Sequence, residues 1–132
     1  MGSASIIQRV AAVGGVVFGL ATVVAGGRVL AGADPGYEVF RPLLIYNTMM
    51  GAAYVAAGLA MWRSIPLGRK AAGLIFVVNF VVLCAVSFGY SRGWGLAVDS
   101  VAAMAFRTLA WLGLLLVLVW HGARSRAERR SP

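Results

Sequence analysis

One arginine, Arg107, lies inside an apolar stretch long enough to cross a membrane. It follows Asp99 by eight positions, which places it about 12 Å further along a helix. A guanidinium at that depth costs on the order of 3 kcal/mol, and such residues usually face a bundle interior or a wet cavity. Two interpretations follow. Arg107 either binds an anion, a quinone or a lipid headgroup, or it is structural. A structural Arg107 bonds to helix-end carbonyls and Asn side chains, or it snorkels toward the outer surface.

Two amide side chains, Asn79 and Asn47, lie in other apolar stretches. An amide in lipid gains about 0.6–2 kcal/mol from a partner on a neighbouring helix. We expect Asn79 to pair with Arg107 because their depths are similar, and Asn47 to bond to Tyr46 or Ser100. The simpler interpretation is hydrogen bonding between helices. The more specific, functional interpretation is a polar pocket that opens outward. Its candidate lining residues are Tyr46, Asn47, Asn79, Asp99 and Arg107.

The sequence lacks the residues that several kinds of chemistry require. His121 is the only histidine and Cys84 the only cysteine, which excludes a bis-His haem and dithiol exchange within one chain. We expect no metal, no cofactor and no catalytic residue, since the sequence contains neither a ligand cluster nor a nucleophile–base pair. A proton-coupled multidrug exporter of similar size depends on a carboxylate in its first helix, and the first apolar stretch has none.

Four apolar stretches must position these side chains. Hydrophobic residues make up 61% of the 132 residues and charged residues 12%, so the bilayer is the expected solvent. About 20 apolar residues cross a hydrocarbon core of roughly 30 Å. We predict an all-α integral membrane four-helix bundle over residues 1–123, followed by a basic tail over 124–132. The predicted helices span about 7–29, 42–62, 70–90 and 97–121.

The first stretch also has features of a cleavable signal peptide, with Arg9 before it and the small residues 31–33 after it. Its apolar core is longer than the 7–15 residues of such a segment, so we expect a retained helix.

Basic residues indicate the orientation of the chain. Eight of them lie at the first end, in the middle loop and in the tail, whereas the other two loops balance three basic with three acidic residues. The positive-inside rule then predicts that both termini are cytoplasmic. The net charge of +8 reflects this topology, and we expect no nucleic-acid partner. Eleven of the twelve basic residues are Arg, a bias typical of GC-rich bacterial genomes, so we expect a bacterial inner membrane.

Small residues predict close helix packing. Gly15 and Gly19 form a GxxxG pattern in the first stretch, and Gly51 and Gly58 lie in a small-residue surface of the second. This surface suits either packing within the bundle or association with a second copy.

The layout resembles the small bacterial inner-membrane proteins of the DoxX-like set. The resemblance is carried by GGRVLAG at the end of the first helix, RPLLIYNTMMGAAYVAAG in the second, an Arg/Lys pair before the third, and FRT in the fourth. It implies a four-helix bundle, and some members are linked to redox or oxidative-stress complexes.

The sequence supports two functions. The first is a non-catalytic inner-membrane component that assembles with itself or with a larger membrane complex, because no catalytic constellation is present. The alternative is binding or transport of a small anion, quinone or lipid near Arg107.

Overall fold

The computed structural model describes residues 5–131, and four α-helices account for most of them. The helices are α1 (Ile6–Leu30), α2 (Arg41–Arg63), α3 (Ile65–Ser91) and α4 (Val98–Arg130). Each is long and apolar enough to cross a membrane. The predicted all-α, four-helix, multi-pass architecture is confirmed, with no strand among the described residues.

The α2–α3 connection is a single residue, Ser64. Its backbone ends α2, and its hydroxyl accepts a hydrogen bond from the Leu67 N–H in the first turn of α3. Pro66 suits that first turn because its missing N–H would be unpaired there in any case. The third helix therefore begins at Ile65, five residues before the predicted start at 70.

The predicted basic tail is helical as far as Arg130. Ala, Arg and Glu are good helix formers, and no Gly or Pro interrupts the segment from 123 to 130. An exposed ion pair joins Arg124 to Glu128 across one turn at 3.6 Å. The fourth helix therefore ends nine residues after the predicted end at 121.

The four helices run up and down. At one end Ser5 is hydrogen-bonded to His121 at 3.0 Å, and the Gln8 amide donates to the Met61 carbonyl at 2.8 Å. We call this the terminal end, since the start of α1, the end of α4 and Ser64 lie there. The opposite end carries the α1–α2 and α3–α4 connections, and we call it the two-loop end.

Helices α1 and α2 pack with their backbones almost in contact. A Cβ added to Gly19 would lie 2.6 Å from the Gly51 carbonyl oxygen, and one added to Gly58 would lie 2.6 Å from the Val16 nitrogen. Gly15 also faces Gly58. All four predicted packing glycines therefore lie in one interface inside the bundle.

The remaining contacts are uneven. Helix α4 packs mainly on α3, and α1 meets α4 over only a short length. The central core contains the fully buried side chains of Tyr54, Met61, Trp111 and Leu118. Large apolar side chains such as Leu74 and Leu109 are two-thirds exposed, which suits contact with lipid.

Candidate functional site

A cavity of about 190 Å³ lies between α1, α2 and α4, toward the two-loop end. The α1–α2 connection contributes Pro35, Tyr37 and Val39 to its wall. Its polar lining residues are Thr22, Tyr37, Asn47, Ser100 and Arg107. The cavity is therefore the place where the sequence-predicted Arg107 and Asn47 meet.

Arg107 reaches this cavity from the third turn of α4. Its side chain is half-buried, and its Nε atom is buried without a hydrogen-bond partner. Within the described segment Arg107 forms no ion pair. Asp99, a predicted lining residue, is exposed in the first turn of α4 and does not line the cavity. The chain thus brings a cation into the membrane-spanning region with no carboxylate beside it.

Asn79 lies behind the cavity, fully buried on α3. Its side-chain oxygen accepts hydrogen bonds from the hydroxyls of Tyr46, at 2.8 Å, and Tyr54, at 3.2 Å. Its Nδ2 atom has no partner. The expected Asn79–Arg107 pair is not formed, because the two tyrosines of α2 occupy the amide oxygen. Tyr46 and Asn79 support the site from behind and do not line the cavity.

Asn47 lines the cavity directly, and its Oδ1 atom is buried without a donor. The expected hydrogen bond to Tyr46 or Ser100 is not formed, although Ser100 lines the same cavity. Asn47 therefore offers an unoccupied acceptor in the cavity that Arg107 also lines.

Aromatic rings form the floor of the site one turn deeper. Trp111 is fully buried, with its ring centroid 5.0 Å from Tyr54 and 6.3 Å from Phe18. Its indole Nε1 donates to no group. Trp111 follows Arg107 by four residues and therefore lies on the same face of α4. Thr22 was missed, since its hydroxyl bonds to its own helix at the Phe18 carbonyl and lies in an ordinary apolar stretch.

Most of the buried polar atoms without a hydrogen-bond partner are donors. Three are donors, on Asn79, Arg107 and Trp111, and one is an acceptor, on Asn47. A buried donor without an acceptor costs about 1–3 kcal/mol, and more if it is charged. No carboxylate is among the residues that line the cavity, so Arg107 has no negative charge opposite it there.

A second space adjoins Arg107 on the lipid side. This groove, of about 300 Å³, lies between α1 and α4. Its residues are Phe18, Ala21, Thr22, Ala25, Ala103, Phe106 and Arg107. Thr22, Ala25, Ala103 and Arg107 also line the cavity, so the two spaces meet at these side chains.

Other chemistry has no site in the described part of the chain. No cluster of His, Cys, Asp and Glu able to hold a metal occurs between residues 5 and 131. His121 lies at the terminal end, bonded to Ser5, and Cys84 is exposed on α3.

Comparison with models of known protein families, with curated proteins and with solved structures finds no match for this chain.

Proposed function

We propose that this chain is a membrane-embedded binding protein that holds an anionic group at Arg107. One observation carries the proposal: the guanidinium lines a cavity within the bundle, and its Nε atom is buried without an acceptor. Intramembrane arginines usually find partners or face a wet cavity. The described residues supply no carboxylate here, so the counter-charge comes from a ligand.

A purely structural Arg107 would satisfy its donors within the protein. The side-chain oxygen of Asn79 is bonded to two tyrosines, and that of Asn47, which lines the same cavity, accepts no hydrogen bond from Arg107. The Tyr46–Asn79–Tyr54 arrangement fixes the wall of the site and leaves the arginine free for an external anion. Charge-assisted hydrogen bonds to an anion contribute about 1.5–3 kcal/mol each.

The size of the cavity limits the group that it holds. An apolar cavity of about 150 Å³ accepts benzene, and this one is about 190 Å³. A carboxylate or a phosphate fits with a few further atoms.

We place the protein in a bacterial inner membrane with both termini in the cytoplasm. The support is the asymmetry of charge, since the terminal end carries eight basic residues and the two-loop end is balanced. In this orientation the cavity lies in the outer half of the bilayer. The relationship to the DoxX-like set stays a prediction.

Assembly with a larger membrane complex also stays a prediction. The small-residue faces that suggested it are occupied by α1–α2 packing within the chain. They therefore give no separate support for a second copy or another subunit.

Anion binding is tested on purified protein in phosphatidylcholine nanodiscs. Radiolabelled butyrate and inorganic phosphate are offered separately in equilibrium dialysis, so that carboxylate and phosphate anions are distinguished. We expect saturable binding of at least one anion, reduced by tenfold or more in Arg107→Leu, because about 1.5–3 kcal/mol of charge-assisted bonding is lost.

Arg28→Leu is the matched control, since Arg28 is exposed in the last turn of α1 and lines neither space at the site. It removes the same charge and should leave binding unchanged. Equal binding of both anions by the wild type and a folded Arg107→Leu variant would refute the proposal.

A further inference from the structure

The groove between α1 and α4 opens onto the lipid-facing surface of the bundle. Ala21 and Ala25 on α1 are exposed, and Phe106 on α4 is 65% exposed. Ala25 and Ala21 lie five and nine residues before the end of α1, and Phe106 lies eight residues after the start of α4, all within the apolar spans. In a bilayer the medium at this opening is hydrocarbon chain.

Two features keep the groove open. Ala21, Ala25 and Ala103 are too small to fill the space between the helices, and α1 meets α4 over only a short length. Toward the terminal end the rings of Phe18 and Phe106 stack at 5.9 Å and close the groove. Apart from Thr22 and Arg107, its wall is apolar.

We infer that the ligand of Arg107 is a single-chain acidic amphiphile, with its anionic head in the cavity and its hydrocarbon chain in the groove between α1 and α4. This inference rests on the proposed anion binding at Arg107 and adds the substrate class and the route of entry.

The shared wall of the two spaces supports this occupant. The same arginine lines the polar cavity and the apolar groove, so one molecule with a charged head and an apolar tail contacts both. A soluble anion would fill the cavity and leave the groove to unrelated lipid.

The dimensions favour one chain and a small head. The cavity admits a carboxylate or a phosphate, and the groove that shares its Arg107 wall is mostly apolar. A fatty acid carboxylate suits both spaces. The other space that shares part of the cavity wall is lined by Asp34 and Arg41 of the α1–α2 side, which does not suit the second chain of a phospholipid.

The site of contact is tested with palmitate that carries a diazirine in the middle of its chain. The wild-type protein in phosphatidylcholine nanodiscs is irradiated, and the labelled residues are mapped by mass spectrometry. We expect labelling to concentrate on Phe18, Ala21 and Phe106 and to saturate with palmitate concentration. Uniform, non-saturating labelling of lipid-facing residues on all four helices would overturn the inference.

The groove is tested separately by Ala21→Trp. Ala21 lines the groove but not the cavity, so the added ring should fill the groove and leave the cavity unchanged. We expect tenfold weaker palmitate labelling and unchanged binding of butyrate or phosphate. Ala85→Trp places the same ring on the exposed face of α3 and should change neither.

The two proposals fail in different ways. If a small anion binds through Arg107 while palmitate labels no preferred site, the amphiphile inference is wrong and anion binding stands. If Arg107→Leu changes neither small-anion binding nor palmitate labelling, both are wrong. If Ala21→Trp leaves palmitate labelling at wild-type strength, the chain does not occupy the groove.

Discussion

Gly19→Ala is expected to destabilise the bundle by about 1–2 kcal/mol. The added Cβ would lie 2.6 Å from the Gly51 oxygen and the Val55 nitrogen, whereas ordinary contact begins at 3.4 Å. The helices must therefore separate by about 0.8 Å, the difference of these two distances. Gaps of this size forfeit a quarter to a half of each dispersion contact that they open.

The free-energy estimate combines two opposing effects. Overpacking costs about 1–3 kcal/mol, with the upper half of the range appropriate here because the obstructing atoms are backbone. Replacing Gly by Ala in a helix returns up to about 1 kcal/mol. The net loss shifts the folding equilibrium by a factor of roughly 5–30.

Unfolding in mixed micelles with increasing sodium dodecyl sulfate, followed by far-ultraviolet circular dichroism, measures this loss. Gly14→Ala is the matched control, since it makes the same change five residues earlier on α1 and its Cβ meets nothing within 4 Å. Gly14→Ala should be at least as stable as the wild type. If Gly19→Ala and Gly14→Ala unfold at the same sodium dodecyl sulfate concentration, the close α1–α2 contact is not what holds the two helices together.

Three further outcomes are expected. Without added anion, Arg107→Leu should resist unfolding as well as the wild type or better, because it removes an unpaired charge from the bundle; a clear loss in the same micelle titration would indicate a structural arginine. Asn79→Leu should lower the free energy of unfolding by about 1–3 kcal/mol, because two tyrosine hydroxyls lose their acceptor. Tyr46→Phe removes only one of these bonds and should lower the free energy of unfolding by less in the same assay. In a variant without the native cysteine, a membrane-impermeant maleimide added to intact cells should label Ala33→Cys but not Ser131→Cys, and the reverse pattern would invert the proposed orientation.

Much of the architecture could be predicted because transmembrane helices are long and uniformly apolar. The sequence also grouped Arg107 and Asn47 in one candidate pocket, and both line one cavity. The partner of Asn79 did not, because Tyr54 lies two turns along α2 from Tyr46 and only the packing of α2 on α3 brings both hydroxyls to one amide. Equal depth along the membrane normal says nothing about which helices are neighbours.

Helix ends were predicted less well than helix positions. The third helix starts earlier because Ser64 and Pro66 begin it, and these signals lie outside the apolar stretch. The fourth runs to Arg130 because helix propensity does not end where hydropathy does. No sequence pattern indicated the groove between α1 and α4, because it forms where alanines of two distant segments fail to fill a space.

The one-residue connection at Ser64 also bears on how the bundle moves. With no slack between them, α2 and α3 behave as a rigid pair at the terminal end, and the bonds of Asn79 to two tyrosines hold them together further along. The glycine contacts hold α1 against α2, whereas α1 approaches α4 at few positions. Breathing of the bundle is therefore concentrated where α1 faces α4. Pairs of spin labels with one label on α1 and one on α4 should report a broad distance distribution. Pairs with one label on α2 and one on α3 should report a narrow distribution.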